Sequence, residues 1–108
     1  MMEMTTENFA EILQEKKTFV MFVHTPFCAT CQLAEKMITV MEQTDPSIAY
    51  YRLNASFFPT FMEFNKIHSV PALLLIRDGQ VIDQLYAFES VTKLHGVMED
   101  WKQKQSIS

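Results

Sequence analysis

Apart from Cys28 and Cys31 the sequence holds no cysteine. A pair in one short motif points to redox chemistry or a metal rather than to a structural staple. The chain also lacks an excess of positive charge. Nine Lys and Arg stand against thirteen Asp and Glu, a formal charge of −4, which argues against a nucleic-acid surface or a basic membrane patch. Long apolar runs are missing too. Phe19–Val23 and Ala72–Ile76 are the longest, of strand length and far too short to span a bilayer. There is no repeat, linker or low-complexity segment. The opening M-M-E-M-T-T-E-N-F has no basic stretch followed by an apolar one, so no signal peptide is expected. The expected compartment is the cytoplasm, where structural disulfides are uncommon.

What is present is a chain of 108 residues, 48% of them apolar. That is enough to bury the core of one domain, expected over residues 1–108 with 1–4 and 104–108 flexible. Thr5 or Thr6 caps a first helix whose apolar stripe is Phe9, Ile12 and Leu13, ending near Lys16. Phe19–Val23 is a strand buried on both faces. Ala34, Met37, Ile38 and Met41 recur at helical spacing until Asp45-Pro46 stops the helix. Ile48–Leu53 reads as a strand, Phe57–Ile67 as a helix with Pro59 in its first turn, and Ala72–Ile76 as a second buried strand. Asp78-Gly79 is a hairpin signal, with Val81–Tyr86 as the partner strand. Val91, Leu94, Val97, Met98 and Trp101 line one face of a last helix capped near Ser90. The order predicts an α/β fold, a mixed sheet with helices on both faces.

Cys28 then falls at a strand-to-helix turn, with Cys31 one turn inside the helix. Positions i and i+3 share a side and are close enough for a disulfide. The unpaired N–H groups of the helix start favour a thiolate at Cys28. Other readings stand beside this one. Buried cysteines are common core residues. C-x-x-C is also half of a zinc site, but His24, His68 and His95 are unpaired at any ligand spacing, and neither metal nor cofactor is expected. Phe57, Phe58, Phe61 and Phe64, at helical spacing, read as core rather than as a binding patch.

The sequence resembles thioredoxin over nearly its whole length. F-C-A-T-C at 27–31 stands where that family has W-C-G-P-C. Val70-Pro71-Ala72-Leu73-Leu74-Leu75-Ile76 resembles its Ile- or Val-Pro before an apolar strand. Arg52-Leu53-Asn54 resembles its K-L-N, and D-G-Q its N-G-E type of turn. The resemblance implies a thioredoxin-like fold, with Cys28 as nucleophile and Cys31 as resolving thiol. It implies a cis Val70–Pro71 bond beside the sulfurs and a substrate segment paired with the Val70 backbone. Phe27, in place of the Trp before the first cysteine, joins that substrate surface. From the residues alone Pro71 reads equally as a strand-start proline.

The departures bear on activity. Phe22 occupies the place of the family's buried Asp, Ala29-Thr30 replaces Gly-Pro, and Lys36 stands for the helix proline. Arg52 is expected to lack the acidic neighbour it would otherwise have. His24, at the position of a second Trp, is either a substitute base with a suitable pKa or a packing residue. The short N-terminus is expected to leave out the first edge strand. The reading is thiol–disulfide exchange between Cys28–Cys31 and protein disulfides, with an external reductase or low-molecular-weight thiol restoring the dithiol. A binding or adaptor protein on the same fold, with weak or regulatory redox activity, is the alternative.

Overall fold

The computed structural model describes residues 1–107, with side chains as far as Gln103. The expectation of a frayed tail at Lys104–Ser108 therefore concerns side chains, and a last residue, outside the described residues. Along the chain run β1 (Met2–Met4), α1 (Phe9–Glu15), β2 (Thr18–His24), α2 (Ala29–Thr44) and β3 (Tyr50–Asn54). After a 3-10 turn at Ala55–Phe57 come α3 (Pro59–Phe64), β4 (Ala72–Arg77), β5 (Gln80–Leu85) and α4 (Val91–Ile107). The strands form one sheet in the order β1-β3-β2-β4-β5. β1, β3 and β2 are parallel, while β4 and β5 run antiparallel to their neighbours. This is the mixed α/β architecture expected of a thioredoxin-like fold.

β2 lies at the centre, bonded to β3 on one side and β4 on the other, so its apolar run is covered on both faces. Phe19, Met21 and Val23 point into one core layer with Ile12 of α1, Phe58 and Ile67. Val20 and Phe22 point into the other, against Cys31, Ala34 and Ile38 of α2 and Leu94 and Trp101 of α4. β4 alternates in the same way, Leu74 to the first layer and Leu73 and Leu75 to the second. A strand pleat sends successive side chains to opposite faces, which is why an unbroken apolar run serves two helix layers at once. Trp101, the one tryptophan, is buried, and its indole N–H donates to Asp83 Oδ2 of β5 at 2.9 Å.

The turn chemistry follows the sequence at several points. Asp78 and Gly79 take positive φ of 51° and 78°, the pair of left-handed residues a tight hairpin requires. Ser90 Oγ accepts the Lys93 N–H at 3.1 Å, capping α4. Asp45 ends α2, its N–H donating to the Met41 carbonyl.

Four expectations are corrected. The first edge strand is present: Met2–Met4 pairs with Tyr51–Leu53. Residues 2–4 thereby form an edge strand of the sheet, and Met4 is buried. Thr5 caps a turn ahead of α1, accepting the Asn8 N–H at 3.2 Å, so that α1 itself begins only at Phe9. The helix expected over Phe57–Ile67 is broken at Phe58, whose φ of −134° and ψ of 53° are not helical. Pro59 begins α3 there because a first-turn proline gives up no intrahelical hydrogen bond. The break splits the aromatic group. Phe58 is buried, whereas Phe57 and Phe64 are 66% and 84% exposed.

Candidate active site

β2 carries the chain to the C-terminal edge of the sheet, and Thr25–Phe27 turn it into α2. Phe27 is left-handed at φ 62° and its side chain is fully exposed. Cys28 is the N-cap of α2, in extended conformation. Its Sγ takes the place of a capping oxygen and accepts the Cys31 N–H at 3.2 Å. Its carbonyl accepts the Gln32 N–H at 3.1 Å. The Thr30 hydroxyl lies 3.4 Å from the same sulfur and donates to it, since a disulfide sulfur carries no proton. Cys28 and Cys31 are joined in a disulfide with Cα atoms 5.2 Å apart.

The two sulfurs sit in different surroundings. Cys28 is half-buried at the helix start, where orphan N–H groups and the macrodipole concentrate positive potential. Cys31 is 3% exposed and packs in the layer of Val20, Phe22 and Ala34. The Val70–Pro71 peptide bond, just ahead of β4, is cis. Val70 is half-buried and packs on the same layer that Cys28 borders.

Phe22 is wholly buried. Its ring stacks on the His24 imidazole with centroids 5.7 Å apart and meets Phe88 edge-on at 6.2 Å. His24 therefore does pack, as a residue in a tryptophan's place would. It also belongs to a charged cluster that the sequence reading missed. Arg52, opposite Phe22 in the β2–β3 register, binds Glu3 Oε1 through Nε at 3.0 Å and Glu35 Oε1 through Nη2 at 3.1 Å. The same Nε–H is shared with His24 Nε2 at 3.3 Å, so the imidazole accepts there and its proton belongs on Nδ1. Arg52, expected to lack an acidic neighbour, has two. Glu3 arrives on the unexpected β1, with no local pattern to announce it. Glu35 was visible in principle, because it lies four residues beyond Cys31 and so on the same side of α2.

Burial, and then the Arg52 charge, hold the His24 pKa below its ordinary value against the opposing pull of Glu3 and Glu35. A base whose folded pKa is depressed destabilises the fold on acidification. Stability is full above the unfolded value near 6.5 and falls as pH drops through that value, where the unfolded chain takes up the proton first. Urea midpoints should therefore decline from pH 7.5 to 5.5, and His24→Gln should flatten that decline. An equal slope in both proteins would refute it.

A cavity of about 260 Å³ opens beside the pair, lined by His24, Phe27, Cys31, Gln32, Glu35 and Arg52 among others. Among the described residues no group of three or more His, Cys, Asp or Glu is placed to hold a metal ion. No helix of the described chain is long and apolar enough to cross a membrane. His68 and His95 are exposed, away from any such grouping.

A disulfide-forming C-x-x-C at the start of a long helix, fed by the central strand of a mixed sheet, defines a redox-competent α/β protein. The chain belongs to the thioredoxin family, whose model matches residues 1–100. It is 41% identical over 92 residues to a thioredoxin-like protein of Bacillus subtilis, YusE, covering 85% of this chain and 84% of that one. It is 25% identical over 81 residues to thioredoxin AMT13 of Alternaria alternata, covering 74% and 69%. In fold it is similar to Plasmodium falciparum thioredoxin, with a TM-score of 0.80 at 15% identity over 94% of this chain and 99% of that one.

Proposed function

We propose that this protein is a thiol–disulfide oxidoreductase acting on protein disulfides through Cys28 and Cys31, with residues 1–108 as one domain. The observation that carries the reading is the asymmetry of the pair: one sulfur caps a 16-residue helix within reach of solvent, the other is 3% exposed. Reduced, Cys28 is the thiol whose ionised form the N–H groups stabilise. Its thiolate attacks one sulfur of a substrate disulfide, and the other sulfur leaves as a thiolate. Cys31 then attacks Cys28 Sγ and expels the second substrate thiolate. The substrate gains two electrons and two protons, and the pair closes to a disulfide. An external reductase or a low-molecular-weight thiol returns the two electrons, and the cytoplasm is the setting that would supply it. Phe27, apolar and exposed beside Cys28, and the backbone at Val70-Pro71 form the proposed contact surface for an extended substrate segment.

Brief alkylation of the reduced protein near pH 7, followed by peptide mapping, tests the assignment. Most of the label should sit on Cys28. Preferential labelling of Cys31 would reverse the two roles. Two equally inert thiols would favour the adaptor reading, in which the surface binds a partner without exchange.

A further inference from the structure

Resolution poses a problem of proton disposal. Cys31 must lose its proton to attack Cys28 Sγ, yet Val20, Phe22 and Ala34, which share its core layer, accept none. Burial disfavours the bare thiolate there. The cavity of about 260 Å³ is a way out, because its wall includes both Cys31 and polar groups. Two of those groups are bases. His24 has its Nε2 lone pair turned to the Arg52 Nε–H at 3.3 Å, so its free ring position carries a proton rather than accepting one. Glu35 stands one helical turn from Cys31, and its Oε1 is held by Arg52 Nη2 at 3.1 Å. A carboxylate offers about four lone-pair sites, so the Arg52 contact leaves acceptor capacity. The cavity is large enough for several waters at about 30 Å³ each.

We propose that Glu35 is the proton acceptor for Cys31, acting through water in this cavity, with Arg52 fixing the carboxylate and His24 closing the inner wall. The inference rests on the exchange reading above and assigns that reaction a further residue. In the step, the Cys31 thiol proton passes through water to the Glu35 carboxylate while the Cys31 sulfur bonds to Cys28 Sγ. The Cys28–substrate S–S bond breaks and the substrate sulfur leaves as a thiolate. Glu35 is partly exposed and returns the proton to solvent. The charged and titratable groups facing Glu35 are Arg52 on β3, His24 on β2 and, across Arg52, Glu3 on β1.

Stopped-flow reaction of the reduced protein with dithiodipyridine, an uncharged chromogenic disulfide, separates the steps. Attack by Cys28 releases the first thiopyridone, and resolution by Cys31 releases the second. In Glu35→Gln the first phase should be unchanged within about twofold, and the second slowed on the order of a hundredfold near pH 7, the lower end of the scale for losing a positioned proton acceptor. The second-phase rate of the variant should rise with the concentration of added imidazole buffer, while that of the parent should not. Glu35→Asp should recover part of the rate. A second phase in Glu35→Gln equal to the parent's, or a slowed phase that no buffer base restores, would overturn the assignment. Lack of any first phase in the parent would instead overturn the exchange reading itself. Urea midpoints of both variants separate a damaged fold from a lost acceptor.

Discussion

Cys31→Ser is expected to turn the protein into a trap that stays covalently attached to the proteins it attacks. Cys28 in that variant keeps its place as the N-cap of α2, with the backbone N–H of residue 31 still directed at its sulfur at 3.2 Å. The first exchange therefore proceeds. The second cannot, because a serine hydroxyl does not displace a thiolate from a disulfide, and the mixed disulfide persists. Cys28→Ser should behave oppositely. Its remaining thiol is 3% exposed and should form few adducts. Turnover in an insulin-reduction assay should fall in both variants by about a thousandfold or more, the scale on which enzymes lose rate with their nucleophile. Non-reducing gels of cell extracts expressing each variant provide the check. High-mass, reductant-sensitive bands should appear with Cys31→Ser alone. Equal, empty lanes would leave the cysteines without a substrate and turn attention to the adaptor alternative.

The largest loss of stability is expected from Phe22→Asp. The ring is completely buried between the His24 imidazole and Phe88. Removing a buried phenyl group costs about 3–5 kcal/mol through lost transfer energy and the cavity left behind. A carboxyl in its place adds the cost of burying a polar group. Arg52, the nearest cation in the register, is already held by Glu3 and Glu35. Burial raises a carboxyl pKa in the folded state, so the unfolded chain ionises first as pH rises. The deficit should consequently be smallest at pH 4 and widen from there toward neutrality. Urea denaturation of parent and variant at pH 4 and pH 7 measures both effects. A variant within 1 kcal/mol (roughly the mean effect of an ordinary substitution) of the parent at pH 7 would show that the site accepts an acid, and that Phe22 is not a packing requirement.

Several parts of this architecture were legible in the residues because their causes are local. The runs at Phe19–Val23 and Ala72–Ile76, the left-handed pair Asp78-Gly79 and the Ser90 cap each carry their own signal within a few residues. So did the placement of Cys28 at a helix start. β1 was not legible: three residues, Met-Glu-Met, are too few to establish a period, and they become a strand only because the edge of β3 is there to pair with. The interruption at Phe58 escaped a reading based on apolar spacing, since the spacing continues across it. The charged cluster was hidden for a related reason. Glu3, His24, Glu35 and Arg52 come from four different elements, and only the sheet order together with the packing of α2 on the sheet gathers the other three around Arg52. Glu35 alone left a trace, its interval of four from Cys31.

The buried Trp101 has an optical corollary. With a single indole in the chain, tryptophan emission has one source, clamped between α4 and β5 by the bond to Asp83. In a relative with Trp directly before the first cysteine, ultraviolet emission would mix a signal from the redox site with one from folding. Here Phe27 holds that position, and excitation at the indole band samples the docking of α4 instead. The wavelength of maximum emission is thus a gauge of the far edge of the sheet, and the state of the sulfurs has to be read by chemical labelling or by mass.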